Sequence, residues 1–306
     1  MTINAHLTEF AGFQVTLWEP GQPLGDPATI IHRLAVEFDD ETNWTAKFRA
    51  FLELPGVAET QGLVVGMWDA EAGSEGDPGK VVEALVTAHA HLPKLRALFM
   101  NDITFEENEV SWIPNGDLSP IFASYPGLEH LGIRGGNGLS VGRLALPALK
   151  TLIIQAGGLS AEAVREVMSA ELPQLEHLEL YLGTDNYGAT NTPEDLAPLL
   201  DGKLFSRLRY LGLKNSDHQD QIAQIVANAP VLDGLETLDL SMGILTDEGA
   251  AALIASPKVA KLRKLDVSFH WCSDEMMAKL EALPIEVDAS DQQEFEDDWR
   301  YVSLGE

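Results

Sequence analysis

The sequence predicts an α/β solenoid, a right-handed superhelix of strand–helix units with about ten parallel strands on its concave face. Three observations predict this fold. A short leucine pattern recurs along the 306 residues, helix-start signals lie between its copies, and the copies leave no room for a second domain. Regularly spaced repeats of this size are the sequence signature of a solenoid.

The strands are read from the leucine spacing. In LETLDL, residues 235–240, Leu238 and Leu240 face inward while Thr237 and Asp239 face outward, since successive side chains of a strand point to opposite faces. We therefore expect Leu238→Ala to cost about 2–5 kcal/mol and Asp239→Ala about half a kcal/mol or less. The other L-x-x-L-x-L copies begin at Leu95, Leu128, Leu149, Leu175, Leu208 and Leu262. Weaker strands are expected at residues 34–36, 63–65 and 285–287.

Helix starts follow several of these strands. Thr246, Ser160 and Ser273 each precede a helix-forming run with acids in its first turn, and a side-chain hydroxyl there can accept from the exposed amides. Asp77-Pro78 and Thr192-Pro193 combine a capping residue with proline at the first helical position. Strand, turn and capped helix therefore form the repeated unit.

The stretch LDLSMGILTDEGAAAL resembles the ribonuclease-inhibitor-like class of leucine-rich repeats. Over nearly its full length, including NDITFEENEVSWIPNGDLSP and LYLGTDNYG, the chain resembles a bacterial cytoplasmic leucine-rich-repeat family of no established activity. This resemblance implies the fold and leaves the function open. The asparagine usual after each strand is replaced, so we expect water or backbone to satisfy the turn amides. The residues at those positions are Gly136, Gly157, Gly183, Ser216, Gly243 and His270.

Composition narrows the classes of partner. Forty-eight acids against 20 bases give a net charge of −28, which disfavours binding to nucleic acid. Cys272 is the only cysteine, so an internal disulfide and a cysteine-built zinc site are excluded. The start MTINAHLTEFAGF does not have the pattern of a signal peptide, and no long apolar run predicts a membrane span. We expect a cytoplasmic protein without a cofactor, and a monomer rather than an oligomer.

The outward strand positions predict a partner-binding face. They carry as many bases (Arg134, Lys214, Lys264) as acids (Glu179, Asp239, Asp266), in a chain that is strongly acidic overall. Tyr181 and Tyr210 add aromatic anchors of the kind enriched at interfaces, and these tyrosines are expected to be exposed together with Arg134 and Lys214. A solvated polar face is the alternative. The residues predicted to contact a protein partner are His130, Arg134, His177, Glu179, Tyr181, Asp185, Tyr187, Tyr210, Lys214, Asp239, Lys264 and Asp266.

Two long loops, residues 101–119 and 182–192, leave the carboxyl ends of strands and should emerge on one edge of the solenoid. Long loops in compact repeats are often binding elements. The first loop carries several acids and an exposed Trp112, and the second carries Asp185 and Tyr187. The sequence therefore predicts a non-catalytic protein-binding scaffold. An enzyme or metal-dependent site built from these acidic loops is the alternative, and a packed cover over the edge is a third interpretation.

Isolated chemical signals are weak. Asp239 and Asp266 are predicted neighbours that Lys214 and Lys264 can neutralise, so a structural pair is favoured over a catalytic one. His130 and His177 lie two repeats apart, roughly 10 Å, which is too far for one metal ion. Cys272 stands at a helix start, which should lower its pKa. None of these signals predicts a catalytic residue or a metal ligand.

The chain is expected to form one domain over residues 1–306. We assign residues 1–60 to an N-terminal cap and a first irregular repeat, and residues 61–288 to the repeats. Residues 289–306 form either a C-terminal cap or an acidic tail, and the apolar WRYVSL segment favours a cap over the last unit.

Overall fold

The computed structural model describes residues 3–37, 40, 42–69, 77–294 and 299–305. Twelve strands form one sheet in which each strand pairs with the next along the chain. β1 and β2 pair in antiparallel fashion, and the pairs from β2 to β12 are parallel. The strands are β1 Glu9–Phe10, β2 Phe13–Leu17, β3 Ile30–Leu34, β4 Gly62–Val65, β5 Ala97–Met100, β6 His130–Arg134, β7 Thr151–Gln155, β8 His177–Gly183, β9 Tyr210–Ser216, β10 Thr237–Asp239, β11 Lys264–Asp266 and β12 Glu286–Asp288.

Inward leucines hold the repeated strands to the helical layer. The central leucine of each repeat is fully buried, and burial of one such side chain contributes about 1.5–3 kcal/mol. These residues are Leu98, Leu131, Leu152, Leu178, Leu211, Leu238 and Leu265. The predicted leucine-rich-repeat solenoid and its strand register are therefore confirmed.

Helices follow most strands and pack against their neighbours along the stack. They are α1 Trp44–Leu52, α2 Gly79–Ala88, α3 Ser119–Ser124, α4 Ala161–Met168, α5 Ala197–Leu200, α6 Gln219–Val226, α7 Asp247–Ile254 and α8 Asp274–Glu281. The side chains of Ser160, Thr246 and Ser273 accept from first-turn amides as predicted. Thr192 forms a capping box with Asp195 at a 3-10 turn that leads into α5. Helix α2 begins after Pro78, and the Asp77 carboxylate accepts from Gly79 N.

The ten predicted parallel strands correspond to β3–β12. The hairpin β1–β2 is an addition that the leucine pattern does not signal. Because β2 pairs with β3 from Gln14↔Ile30 to Leu17↔Arg33, β3 begins four residues before the position expected from sequence, residues 34–36. No helix in the described ranges is long and apolar enough to cross a bilayer.

The terminal segment, residues 299–305, lies along the turns at the carboxyl ends of the strands. The Asn215 side chain donates to Leu304 O at 2.5 Å and accepts from Leu304 N at 2.8 Å. Ser111 donates to Gly305 O, and Trp271 donates to Tyr301 O at 3.2 Å. The segment thus spans turns from β5 to β11, whereas the sequence predicted that its apolar groups would cover the last unit. The acids at 295–298 lie outside the described residues, and the division into caps and repeats stays a prediction.

Candidate partner-binding surface

The outward side chains form the expected columns across the sheet. Thr237 pairs with Tyr210 on one side and Lys264 on the other, and Asp239 pairs with Asp266. His130 and His177 are separated by Thr151, as the two-repeat spacing predicts. The register therefore places the predicted site residues of these strands on one face, and their surroundings decide what each can do.

Lys214 is the centre of a polar cluster on this face. Its Nζ lies 3.0 Å from Asp239 Oδ2 and 3.4 Å from Glu179 Oε1, and it stands 5.1 Å from the centre of the Tyr181 ring. Tyr210 donates its hydroxyl to Asp239 at 2.5 Å. His177 stacks on Tyr210 with ring centres 4.0 Å apart, and its Nε2 lies 3.2 Å from Glu179. The structure therefore brings six of the predicted residues into one connected network.

The electrostatics of this cluster favour its charged form. Burial opposes the charge on Lys214, but the oxygens of Tyr181, Glu179 and Asp239 outweigh it and raise the lysine pKa. Burial likewise opposes the charge on Glu179, but the hydrogen bond with His177 and the charge of Lys214 hold its pKa below the usual range. The cluster is thus an internally satisfied ion network, and its charges are already committed to one another.

Three residues predicted to be exposed on the concave face, Arg134, Tyr181 and Asp239, are buried. Arg134 retains only 2% exposure and Tyr181 8%. Arg134 lies 3.2 Å from Asp102 Oδ1 and donates to Ile103 O at 2.7 Å, while Arg33 lies 3.2 Å from the same carboxylate. The start of the long loop therefore folds over β6, and its first acid, Asp102, is fully buried between two guanidinium groups.

Tyr181 is covered by three segments that are distant in sequence. It forms an apolar cluster with Val110 and Leu304, and Ile3 and Met242 pack against this cluster. Burial raises the pKa of the Tyr181 hydroxyl, so the phenol stays neutral. The prediction of an exposed tyrosine anchor is wrong because the long loop and both terminal segments close over this edge of the sheet.

Lys264 is also matched by carboxylates. Its Nζ lies 3.1 Å from Asp266, and Asp288 and Glu286 lie at 3.8 and 4.0 Å. The lysines therefore neutralise the Asp239–Asp266 pair, as expected from sequence. The concave face carries balanced charge. Its half-buried predicted residues are His130, His177, Glu179, Tyr210, Lys214, Lys264 and Asp266.

The isolated nucleophile and metal candidates do not assemble into sites. Cys272 is buried, and burial raises its thiol pKa to about 12, contrary to the lowering expected at a helix start. In the described ranges no group of three or more histidines, cysteines or acidic residues could hold a metal ion. The acidic-loop alternative thus finds no supporting geometry, since Asp102 is engaged by arginines.

The two long loops do meet at one edge, where they form a cleft of about 740 Å³. Glu109 and Trp112 stand on one side and Asn186 and Tyr187 on the other, with the turn 136–140 and the start of α4 between them. A second cleft of about 400 Å³ lies beyond Tyr187 and is bounded by Asp217 and the terminal segment. Asp185, predicted to contact a partner, is exposed beside these clefts. We call this region, from Trp112 to Trp299, the loop edge.

Glycines let the successive turns of the loop edge approach closely. Gly183 has φ +77°, and a β-carbon there would collide with the carbonyl of Gly157. Gly158 leaves no room for a β-carbon beneath the backbone of Tyr187. Backbone-to-backbone packing therefore requires glycine both at 183, where the repeat lacks its usual asparagine, and at 158.

Exposed apolar side chains concentrate on the same edge. Trp112 is 58% exposed and Trp299 67% exposed. With Phe105 and Tyr301 they make up four of the six exposed large apolar side chains in the described part of the chain. The sequence predicted an exposed Trp112, whereas Trp299 and Tyr301 belong to the WRYVSL segment that it predicted as a cap. No local signal marks the turn at 136–140 as a cleft wall.

Comparison with known proteins gives a relative but no function. No protein-family model and no curated protein matches the sequence. An internalin from Listeria monocytogenes aligns over 80% of this chain and 77% of its own, at 14% identity and a TM-score of 0.29, which is too low to carry an argument. A protein from Bacteroides fragilis, with a crystal structure determined in a structural genomics programme, is 33% identical. The alignment covers 86% of this chain and 75% of that protein, with a TM-score of 0.80. The chain therefore belongs to the same family as this Bacteroides fragilis protein.

Proposed function

We propose that the protein is a non-catalytic scaffold that binds another protein through its loop edge and the adjoining exposed part of the concave face. Leucine-rich-repeat folds commonly mediate protein binding, and this chain offers the matching kind of surface. The observation that carries the proposal is the exposure of Trp112 and Trp299 beside the two clefts of the loop edge. Exposed aromatic groups on an otherwise polar surface are typical of interface anchors.

The Lys214 cluster has a supporting role in this proposal. Its charges are paired within the sheet, so it fixes the shape of the concave face and contributes few unpaired groups to a partner. His177 and Lys264 remain accessible at its margin. A partner seated on the loop edge would reach these residues only with its periphery.

Units of one strand and one helix support the ribonuclease-inhibitor-like class of repeat, and a single reduced cysteine is compatible with the cytoplasm. We place the protein there as a monomer that acts through a partner rather than through a cofactor.

Affinity capture from native lysate tests the function. The wild-type protein should retain a specific protein that Trp112→Ala and Trp299→Ala lose. Ile225→Ala is the matched control, because Ile225 is an exposed apolar residue on the helical layer. If all four proteins retain the same set, or the control loses it equally, the loop edge is not the binding surface.

A further inference from the structure

We infer that the cleft between Trp112 and Tyr187 receives a basic segment of the partner, with an arginine or lysine side chain held against the indole of Trp112. This inference rests on the proposed protein-binding function and names the chemical class of the partner. It follows from the charge of the cleft wall, the exposed aromatic ring and the shape of the floor.

The cleft wall carries negative charge without a matching base. Glu109 and Glu162 are its charged lining residues, and the lining includes no lysine, arginine or histidine. Neither carboxylate forms an ion pair with another residue of the described ranges, and Arg165, the base of α4, pairs instead with Asp195 at 2.7 Å. By contrast, the aspartates beside Lys214 and Lys264 are neutralised within the sheet by those lysines. A cation entering the cleft would therefore meet two carboxylates still available to it.

One local feature opposes the binding of a cation in the cleft. Helix α4 begins at the cleft, and the positive end of a helix dipole favours anions. Two of its first three amides are already satisfied, because Ala161 N donates to Thr190 Oγ1 at 2.9 Å and Ala163 N donates to Ser160 Oγ at 3.1 Å. Glu162, in the first turn, offsets the remaining positive field. The two carboxylates therefore make the electrostatic potential of the cleft negative.

The aromatic side chains favour a planar or flexible cation over a small ion. Trp112 exposes more than half of its surface beside the acids, and indole is the strongest aromatic partner for guanidinium and ammonium groups. Tyr187 closes the far side, and its ring rests against Gly305, where a β-carbon would not fit. Gly136, Gly138 and Gly158 line the cleft with little side-chain bulk, so an extended backbone can approach them.

The test uses the full-length protein and a fluorescent peptide of alternating arginine and glycine. Anisotropy titrations should show binding that weakens as salt is raised. A matched peptide with citrulline in place of arginine removes the charge and keeps the shape, and it should bind more weakly. Trp112→Ala and the double variant Glu109→Gln/Glu162→Gln should each raise the Kd about 3- to 30-fold.

A second double variant separates a specific site from general attraction to an acidic protein. Glu53→Gln/Glu281→Gln removes two exposed acids at the ends of α1 and α8, far from the loop edge in the stack. It should leave the Kd within about twofold of wild type. Equal weakening by both double variants, or equal binding of the citrulline peptide, overturns the inference.

The outcome is distinguishable from failure of the proposed function. Suppose that Trp112→Ala abolishes capture of a lysate protein while the cleft variants bind the arginine peptide as tightly as wild type. The protein-binding function then stands, and the inference of a basic partner is wrong. If the peptide requires the cleft but no lysate protein does, the basic site stands and the scaffold function is wrong.

Discussion

Lys214 Nζ lies 3.0 Å from Asp239 Oδ2, across the boundary between β9 and β10, with the two side chains 12% and 5% exposed. Glu179 completes the contact from β8. Three neighbouring repeats are therefore joined by one buried charge, in addition to the leucines behind the sheet. Removal of one partner from a buried ion group leaves the others uncompensated.

We expect Lys214→Met to lower the free energy of unfolding by about 3–5 kcal/mol, because two buried carboxylates would lose their counter-ion. Urea denaturation measures this loss in the free energy of unfolding. Lys203→Met is the control, since its pair with Asp201 is exposed, and its effect should stay below about 1 kcal/mol. Equal effects of the two substitutions would show that the Lys214 contacts do not hold in solution.

Asp239→Ala should destabilise the protein by about 1–3 kcal/mol, since it leaves Lys214 and Tyr210 without their acceptor. Alternation along β10 alone predicts an exposed side chain and a negligible cost. Leu238→Ala, one residue earlier, should cost about 2–5 kcal/mol through the cavity it creates. Denaturant melts of both variants decide between the two expectations for Asp239, and a loss near zero for that variant would favour the simple alternation.

Acidification should destabilise the fold through His32. Burial lowers the pKa of this histidine, which also contacts Thr16 at 3.2 Å and the Phe51 ring. The unfolded chain therefore takes up the proton first, near pH 6.5, so stability falls as pH drops through that value and levels off below the folded-state pKa.

The slope of stability against pH between 7 and about 5 should be smaller in His32→Gln than in wild type. His91→Gln, at an exposed histidine, serves as the control and should keep the wild-type slope. Parallel curves for wild type and His32→Gln would exclude His32 as the source.

The terminal segment should be released by Asn215→Gly. Asn215 has φ +58°, which glycine tolerates, so the substitution removes the side-chain bonds to Leu304 with little backbone strain. We expect a loss of about 1–3 kcal/mol and increased binding of a hydrophobic dye at the uncovered Tyr181 cluster. Asn137→Gly, at an exposed turn, should change neither measurement. An unaltered melt and dye signal for Asn215→Gly would mean that the segment is not held by this residue.

Cys272 should react slowly with iodoacetamide in the folded protein at pH 8, because burial raises its thiol pKa to about 12 and covers the sulfur. Mass spectrometry should find rapid alkylation only after denaturation. Fast native labelling would place the thiol at the surface.

The strands and helix starts were predictable because they depend on local periodicity and local caps. Leucine spacing reports which face of a strand Leu238 occupies, and Ser160 marks its helix without help from distant residues. The segments that cover the concave face of the sheet could not be predicted in this way. Arg134 is buried by the loop that begins at Asp102, and Tyr181 by Leu304 and Ile3. Alternation carries no information about such partners.

The turns show the same limit. Loss of the usual asparagine suggested that water or backbone would complete the hydrogen bonds. After β6 the backbone does so for the amide, since Gly135 N donates to Gln155 O at 2.8 Å. The carbonyls of the same turn are satisfied by side chains that the sequence did not indicate: Asn101 donates to Arg134 O at 3.2 Å, and Asn115 donates to Gly135 O at 2.9 Å. Asn101 has φ +63°, so its backbone also makes the turn. Neither residue stands at the position where the repeat usually has its asparagine, so the pattern could not identify them.

The meeting of Ile3 and Leu304 at Tyr181 links opposite ends of the chain to its middle. A stack in which each unit contacts only its neighbours can melt from its ends inward. Here the outermost strands cannot separate independently without breaking a contact shared by both termini, so the solenoid should unfold in one cooperative transition. On the ribosome, the units can stack as they emerge, but this edge closes only after residues 299–305 have left the exit tunnel. Until then the nascent chain presents an open apolar patch, and it is at this stage that we expect a chaperone to bind it.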